Sequence, residues 1–451
     1  MRILVAGAGA GKTSTMAKKV MDRFRKVTDG KIIYVITYTN AARDRIRESI
    51  VYLHGTIPKQ IKVETFHAFL LREIIFPFHH LLYDKYFTSV STIKLPNNYA
   101  LRNKKIKELE INNIIHVEKV TQVSKWIISK KSNDKKYIKM QREKIISFIN
   151  TYLDSVFIDE AQDIDKEFSE VIQALDESGV DFFLVGDPKQ DIRGRKAFRD
   201  LMDKYSEQVK YKKENHRCPV NHIKLANLYV SEKEKQIAQT SIKGEIEFVL
   251  ESDINPNKYV KNGPWDYVCI HKKNKRYITH SNDKDKLDSS LMYELGILVK
   301  MSGVKEKDID RIAYFLLKKI KKEWTQKSNW QIFSKLEKCL GIKLSNIDKS
   351  KLWNHIDNVK AYNKSEEGVL VQSIDKIKGL EGDQILFILT EELAPYFFKE
   401  KKEQNKMLNY LYVALTRAKR KLVILLTIEV EEKYGKETVL EQIGKFDDIL
   451  V

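Results

Sequence analysis

The sequence AGAGAGKT, residues 6–13, follows a short apolar run at residues 2–6 and precedes a helical segment that continues to Met21. Its glycines let successive backbone N–H groups turn toward a phosphate without clashes from Cβ atoms, and a helix N-terminus adds a favourable dipole. The stretch therefore predicts a phosphate-binding loop of the Walker A type. Because the strict pattern has glycine where this chain has Ala6, an ordinary glycine-rich turn is the alternative for the stretch taken alone.

A second half of such a site follows at residues 155–160. The apolar run at residues 155–158 ends at Asp159 and Glu160, and open α/β sheets bind their ligands at the carboxyl ends of strands. Thr13 and Asp159 are therefore the predicted Mg²⁺ ligands, and Glu160 is the predicted acceptor of a proton from the attacking water. With this half present, the loop predicts binding of ATP and Mg²⁺. The predicted nucleotide-binding residues of the loop are Gly7, Ala8, Gly9, Ala10, Gly11, Lys12, Thr13 and Ser14.

The rest of the chain repeats one pattern twice. Short β-branched runs alternate with helical stretches, first up to about residue 185 and again from about residue 245, which indicates two α/β domains with parallel sheets. Residues 75–149 and 277–364 lack this pattern and are predicted to be mainly helical insertions. The predicted boundaries place residues 1–74 and 150–210 in the first α/β domain, and residues 211–276 and 365–451 in the second.

Charge and composition limit the classes of partner and of metal site that the chain could have. The formal net charge of +19 favours a polyanion, with lysines concentrated near residues 130–144, although a lysine run is more often only a solvated face. The three cysteines form no CxxC pair, so neither a disulfide framework nor a zinc site is predicted. Since no apolar run is long enough to cross a bilayer, we expect a cytoplasmic protein without a membrane partner.

Beside the Walker A loop, seven ordered motifs carry a resemblance to the UvrD/Rep/PcrA helicases of superfamily 1. They are TYTNAA (37–42), TFHAF (65–69), DEAQD (159–163), VGDPKQ (185–190), NHRC (215–218), KGLE (378–381) and YVALTRA (412–418). The resemblance spans nearly the whole chain and implies that both α/β domains are RecA-like P-loop domains sharing one ATP site. It also implies an ATP-driven motor that moves on single-stranded or tailed duplex DNA, in the 3′ to 5′ direction.

The resemblance assigns roles residue by residue. Gln190 would sense the γ-phosphate and position the attacking water, and Arg217 and Arg417 would act on that phosphate as arginine fingers. With Glu160 these are the expected catalytic residues. His216 stands at the position that stacks on the base, and Glu381 at the one that accepts from the ribose hydroxyl. The residues expected to contact nucleic acid are Tyr38, Thr39, Asn40, Thr65, Phe66, His67 and Arg195. For the aromatic members a place in the core is an equal alternative.

Three departures from the family qualify this expectation. The chain begins at the Walker A strand, without the glutamine motif that reads adenine, and His216 replaces a tyrosine, so base selectivity stays open. Arg195 stands near the place of an aromatic residue that stacks on DNA, and Asp375 replaces a histidine that links the ATP site to DNA. The insertions are also short, a compact build that resembles the helicase-like subunit of Gabija-type antiphage systems, which works with a nuclease partner.

The sequence is compatible with two functions. One is a translocase that unwinds DNA. The other is a DNA-gated ATPase switch that senses single strands or DNA ends and licenses a nuclease partner, with little unwinding of its own. RNA also stays open as the nucleic acid, because no residue is recognised as reading a 2′-hydroxyl.

Overall fold

The computed structural model describes residues 1–96, 98–279, 283–324, 326–363 and 369–450. Residues 97, 280–282, 325, 364–368 and 451, which fall within the predicted insertions and the second predicted domain, lie outside the described residues. The chain forms two compact units. One combines Met1–Tyr86, Lys119–Thr279 and Val369–Val451, and the other combines Phe87–Glu118 with His280–Gly368.

Most strands lie where the apolar runs predict them. In chain order they are β1 Arg2–Ala6, β2 Ile32–Thr37, β3 Ile61–Thr65, β4 Ser89–Ser91, β5 Ile114–His116, β6 Leu153–Ile158, β7 Asp181–Gly186, β8 Val209–Lys212, β9 Glu214–Asn215, β10 Ile237–Ala238, β11 Glu245–Leu250, β12 Tyr267–Ile270, β13 Tyr277–Thr279, β14 Val369–Ser373, β15 Gly382–Leu389 and β16 Ala418–Leu426.

The helices cover both sheets and build the second unit. They are α1 Lys12–Phe24, α2 Asn40–His54, α3 Phe66–Phe69, α4 Phe76–Tyr83, α5 Tyr99–Ile111, α6 Val120–Ile128, α7 Lys136–Tyr152, α8 Lys166–Glu177, α9 Ala197–Lys204, α10 Val220–Asn227, α11 Pro256–Asn262, α12 Asp283–Met301, α13 Ile309–Lys322, α14 Asn329–Leu340, α15 Asn346–Asn363, α16 Ile374–Ile377, α17 Ala394–Phe397, α18 Lys406–Leu415, α19 Ile428–Tyr434 and α20 Lys436–Leu450. A π-helical turn, Leu70–Ile75, joins α3 to α4.

The first sheet has the strand order β3-β2-β6-β7-β1-β8, and all of its pairs are parallel. Strands β2 and β6 are buried along almost their whole length, as expected for a parallel sheet covered by helices on both faces. Parallel strands bring their carboxyl ends to one edge. The loops that follow β1, β6 and β7 therefore meet there.

The second sheet has the order β11-β16-β15-β12-β14-β13 and is also parallel throughout. Its core includes Phe387 and Ile424, both fully buried. Two parallel six-stranded sheets flanked by helices confirm the prediction of two RecA-like domains with mainly helical insertions.

The structure shifts two of the predicted domain boundaries. Strand β8 pairs with β1 and so extends the first sheet beyond residue 210, and β13 pairs with β14 in the second sheet although residues 277–279 were expected in an insertion. Both are edge strands. The sequence of β8, Val-Lys-Tyr-Lys, alternates with lysine, and β13 has only three residues, so neither contains a long apolar run. Residues 213–244 connect the two sheets.

The second unit contains α5 and the helices of residues 283–363. Its core contains Leu291, Leu295, Leu298, Leu316 and Ile320, which recur at helical spacing and are all buried. In the first unit, the lysine-rich α7 is anchored by Arg142, whose guanidinium lies 2.5 Å from Asp134 and is nearly buried. No helix in the described ranges is long and apolar enough to span a bilayer.

Candidate nucleotide site

The loop between β1 and α1 has the backbone shape of a phosphate cradle. Gly9 and Gly11 take φ values of 76° and 70°, in the left-handed region that favours glycine. The loop is also closely packed at Gly7, where a Cβ atom would lie 2.4 Å from the side chain of Gln236. Backbone conformation and close packing therefore account for the glycines of the pattern AGAGAGKT.

Lys12 and Glu160 face each other at the first turn of α1. The ammonium of Lys12 lies 3.3 Å from a carboxylate oxygen of Glu160, which also accepts a hydrogen bond from Gln162. Burial alone would raise the pKa of Glu160, but the positive charges of Lys12 and Lys378 outweigh it and lower that pKa to about 2. Glu160 is thus held as a carboxylate, the protonation state that a general base needs.

Asp159 lies beside Glu160 at the end of β6 and is buried. Burial, and then the negative charge of Glu160, raise the pKa of Asp159. A cation near Asp159 would relieve this unfavourable charge. Mg²⁺ usually binds one or two carboxylates and takes its remaining oxygens from phosphates and water, so the hydroxyl of Thr13 and the carboxylate of Asp159 fit a nucleotide-bound Mg²⁺.

Asp187, at the end of β7, ties the loop to Gln190. Its carboxylate accepts from the backbone N–H of Ala8 at 3.1 Å and from Nε2 of Gln190 at 2.9 Å. The buried ammonium of Lys189 lies 3.0 Å away. Burial would raise the pKa of Asp187, but the charges of Lys189 and Lys12 keep it below its usual value. Gln190 is therefore oriented by a group that also contacts the phosphate loop.

The connector, residues 213–244, and α18 also contact the loop. The carbonyl of Ala8 accepts from Nδ2 of Asn215 at 2.6 Å and from Nε2 of Gln236 at 3.1 Å. Gln236 in turn accepts from the hydroxyl of Tyr412 at 2.8 Å. Sequence reasoning missed Gln236, which belongs to none of the motifs and is 228 positions from Ala8.

The two arginines expected as fingers have different surroundings. Arg217 is ion-paired with Glu381, which also lies 2.5 Å from the ammonium of Lys419. Arg417 is buried and donates to the carbonyl of Val413 at 2.9 Å. Burial, and then the charge of Arg217, lower the pKa of Arg417, so the two guanidinium groups repel each other. An anion between them would relieve that repulsion.

The residues expected at the ribose and at the base have different surroundings. The side chain of His216 is exposed, and its backbone N–H donates to the carbonyl of Gly9 at 2.9 Å. The carboxylate of Glu381 is engaged by Arg217 and Lys419, so accepting from a ribose hydroxyl would require it to give up one of these partners. Ser14 is exposed at the start of α1.

The residues expected to contact nucleic acid follow β2 and β3. Tyr38 stacks on Phe66 with ring centroids 5.0 Å apart, and Phe66 is buried against Phe168 at 4.6 Å. The structure therefore places Phe66 in the core, while Tyr38, Thr65 and His67 are partly accessible. Two neighbours are exposed at the start of α2. They are Thr39, whose hydroxyl caps that helix, and Asn40.

Arg195 and Asp375 are both engaged in contacts within the chain. The guanidinium of Arg195 donates to the backbone carbonyl of Asp163, whereas Arg193 is exposed. Asp375 accepts from the hydroxyl of Tyr410 at 3.3 Å, and the ring of Tyr410 packs edge-on against His271 at 4.4 Å. The side chains of Arg195 and Asp375 therefore both have hydrogen-bond partners within the chain.

The first part of the chain is similar to a known protein family. Residues 1–195, which contain the loop, the acidic pair and Gln190, match the AAA domain family. Residues 1–195 are thus similar to an AAA domain.

A particular relative is similar along almost the whole chain. Gabija protein GajB from Bacillus cereus (strain VD045) is 24% identical over 506 aligned positions, which cover 98% of this chain and 96% of the relative. A solved arterivirus helicase, nonstructural protein 10 in complex with DNA, is 12% identical and has a TM-score of 0.34 over 94% of this chain. The chain covers 59% of that helicase's length. The resemblance inferred from the motifs is confirmed by the family match and by the GajB relative.

Proposed function

We propose that the chain hydrolyses ATP with Mg²⁺ and couples that hydrolysis to movement on single-stranded DNA. One observation carries the proposal. Lys12 and Glu160 meet at 3.3 Å under the glycine loop, and Asp187 joins the same loop to Gln190. This set provides a phosphate ligand, a proton acceptor and a γ-phosphate sensor at one sheet edge.

Nucleotide binding and activation of the base are linked through Lys12. When Lys12 turns to the β- and γ-phosphates, Glu160 loses the positive charge that most lowers its pKa, and it becomes a stronger acceptor for a proton from water. Mg²⁺ held by Thr13 and Asp159 would neutralise charge on the phosphates. Arg217 and Arg417 would stabilise charge that develops on the transferred phosphoryl group, typically worth about 10³ to 10⁵ in rate.

Movement would follow from a change in the contacts of Arg217, which lies in the segment that connects the two sheets. Arg217 is paired with Glu381 in the structure, and a γ-phosphate would compete for that guanidinium. After hydrolysis the competition ends, so the contacts differ between the ATP and ADP states. Such a difference can drive stepwise motion along a DNA strand, in the 3′ to 5′ direction if the chain follows its family.

A second candidate is supported by Arg195 and Asp375. Both side chains are engaged within the chain, where the resembling family has a stacking aromatic residue and a coupling histidine. This favours a DNA-gated ATPase that hydrolyses ATP with little unwinding and licenses a nuclease partner in antiphage defence. The similarity to Gabija protein GajB is in keeping with that role.

One experiment separates the two candidates. ATP turnover is measured with and without single-stranded DNA, and strand displacement is measured on a 3′-tailed duplex, with matched RNA substrates in parallel. We expect DNA-stimulated turnover together with weak strand separation. Tight coupling, near one base pair opened per ATP, would favour an ordinary helicase, and the absence of DNA stimulation would contradict both candidates.

A further inference from the structure

A second lysine reaches the phosphate loop from the edge of the first sheet. In the register of β1 and β8, Lys212 lies opposite Ala6, the last residue before the loop. Its ammonium donates to the hydroxyl of Thr15 at 3.0 Å and would lie 3.8 Å from a Cβ atom on Gly11. The side chain therefore crosses from the edge strand to the first turn of α1.

The positive charges around Lys212 favour binding of an anion. The N-terminal turn of a helix carries a partial positive charge, and a lysine ammonium beside it adds to that charge. Lys212 is half-buried and forms no ion pair with any of the residues that the structure describes, whereas Lys12 in the same turn is paired with Glu160. A phosphate oxygen would satisfy both the ammonium and the backbone N–H groups of the turn.

The position of Lys212 along α1 indicates which phosphate of the nucleotide it would bind. Lys12 reaches the β- and γ-phosphates in such loops, toward Glu160 and Gln190. Thr15 lies three residues farther along α1, about 4.5 Å along the helix axis, so Lys212 is displaced from the catalytic end of the loop. We infer that Lys212 binds the α-phosphate of the nucleotide. The inference rests on the proposed function and adds a ligand from an edge strand outside the motifs.

The test uses the full chain with Mg²⁺ and either ATP or ADP, with binding measured by calorimetry. Lys212→Met retains most of the apolar stem and removes one charge-assisted hydrogen bond, so we expect affinity to fall roughly tenfold for both nucleotides. Lys212→Arg should restore most of the loss. Lys210→Met is the matched control, because Lys210 is exposed on the same face of β8 but two residues farther from the loop, and it should bind like the unchanged chain.

The outcomes separate this inference from the proposed function. If Lys212→Met binds both nucleotides normally while Lys12→Ala loses binding, the nucleotide site stands and the role of Lys212 is wrong. If Lys212→Met weakens ATP but not ADP, the ammonium contacts the γ-phosphate, and the assignment to the α-phosphate is overturned. If the unchanged chain binds neither nucleotide, the inference and the proposed function both fall.

Discussion

The ion pair between Lys378 and Asp163 joins the loop after β6 to the turn before β15. The ammonium of Lys378 lies 2.6 Å and 2.8 Å from the two carboxylate oxygens, and the side chains are only 14% and 13% exposed. Breaking a fully buried pair by removing one partner costs about 3–5 kcal/mol, and some access of water lowers the expected loss here to about 2 kcal/mol. Lys378→Met should therefore raise the equilibrium constant of unfolding roughly 30-fold.

A second ion pair of similar length provides the control. Lys419 lies 2.5 Å from Glu381, but these side chains are 41% and 36% exposed, and Glu381 keeps Arg217 as a partner when Lys419 is removed. Lys419→Met should cost less than about 1 kcal/mol. Urea unfolding of both variants, with Asp163→Asn completing a double-mutant cycle for the first pair, measures the difference. Equal losses in the two variants would refute the argument that burial, rather than distance, sets the strength of these pairs.

Three further predictions concern the loop, the thiols and the charge. Gly9→Ala should abolish nucleotide binding, because its Cβ atom would lie 2.5 Å from Asn215, whereas Gly30→Ala, with a similar φ of +76° and no neighbour within 4 Å, should bind normally. Titration with a thiol reagent should modify the exposed Cys339 quickly and the two buried cysteines slowly, since burial raises the pKa of Cys218 and raises that of Cys269 to about 12; equal rates would contradict this. The affinity for single-stranded DNA should fall steeply with salt, as the net charge of +19 implies, and a salt-independent dissociation constant would exclude nucleic acid as the main partner.

The sequence predicts the sheets well because the decisive strands are buried. Strands such as β2 and β6 are continuous apolar runs. The predicted site residues directly follow these strands, so the same pattern locates both the strands and the candidate site. The edge strand β8, Val-Lys-Tyr-Lys, has no such run and is defined only by its pairing with β1. Lys212 lies in that strand, which is why no motif points to it.

Contacts between distant parts of the chain could not be predicted in this way. Gln236 reaches the phosphate loop from the connector, and Arg195 bonds to the backbone of Asp163 instead of remaining free at the surface. Local sequence determines which residue types are present, but only the assembled fold determines which polar groups they satisfy. The roles of Arg195 and Tyr38 in nucleic-acid binding therefore stay predictions.

We propose that Glu160 accepts the proton during ATP hydrolysis at the loop that holds Lys12. The most direct test incubates the unchanged chain and Glu160→Gln with labelled ATP and Mg²⁺ and measures bound nucleotide and released phosphate in the same samples. We expect both proteins to bind ATP and only the unchanged chain to release phosphate, with the rate for Glu160→Gln lower by about 10² or more. Phosphate release by Glu160→Gln at the unchanged rate would contradict the assignment.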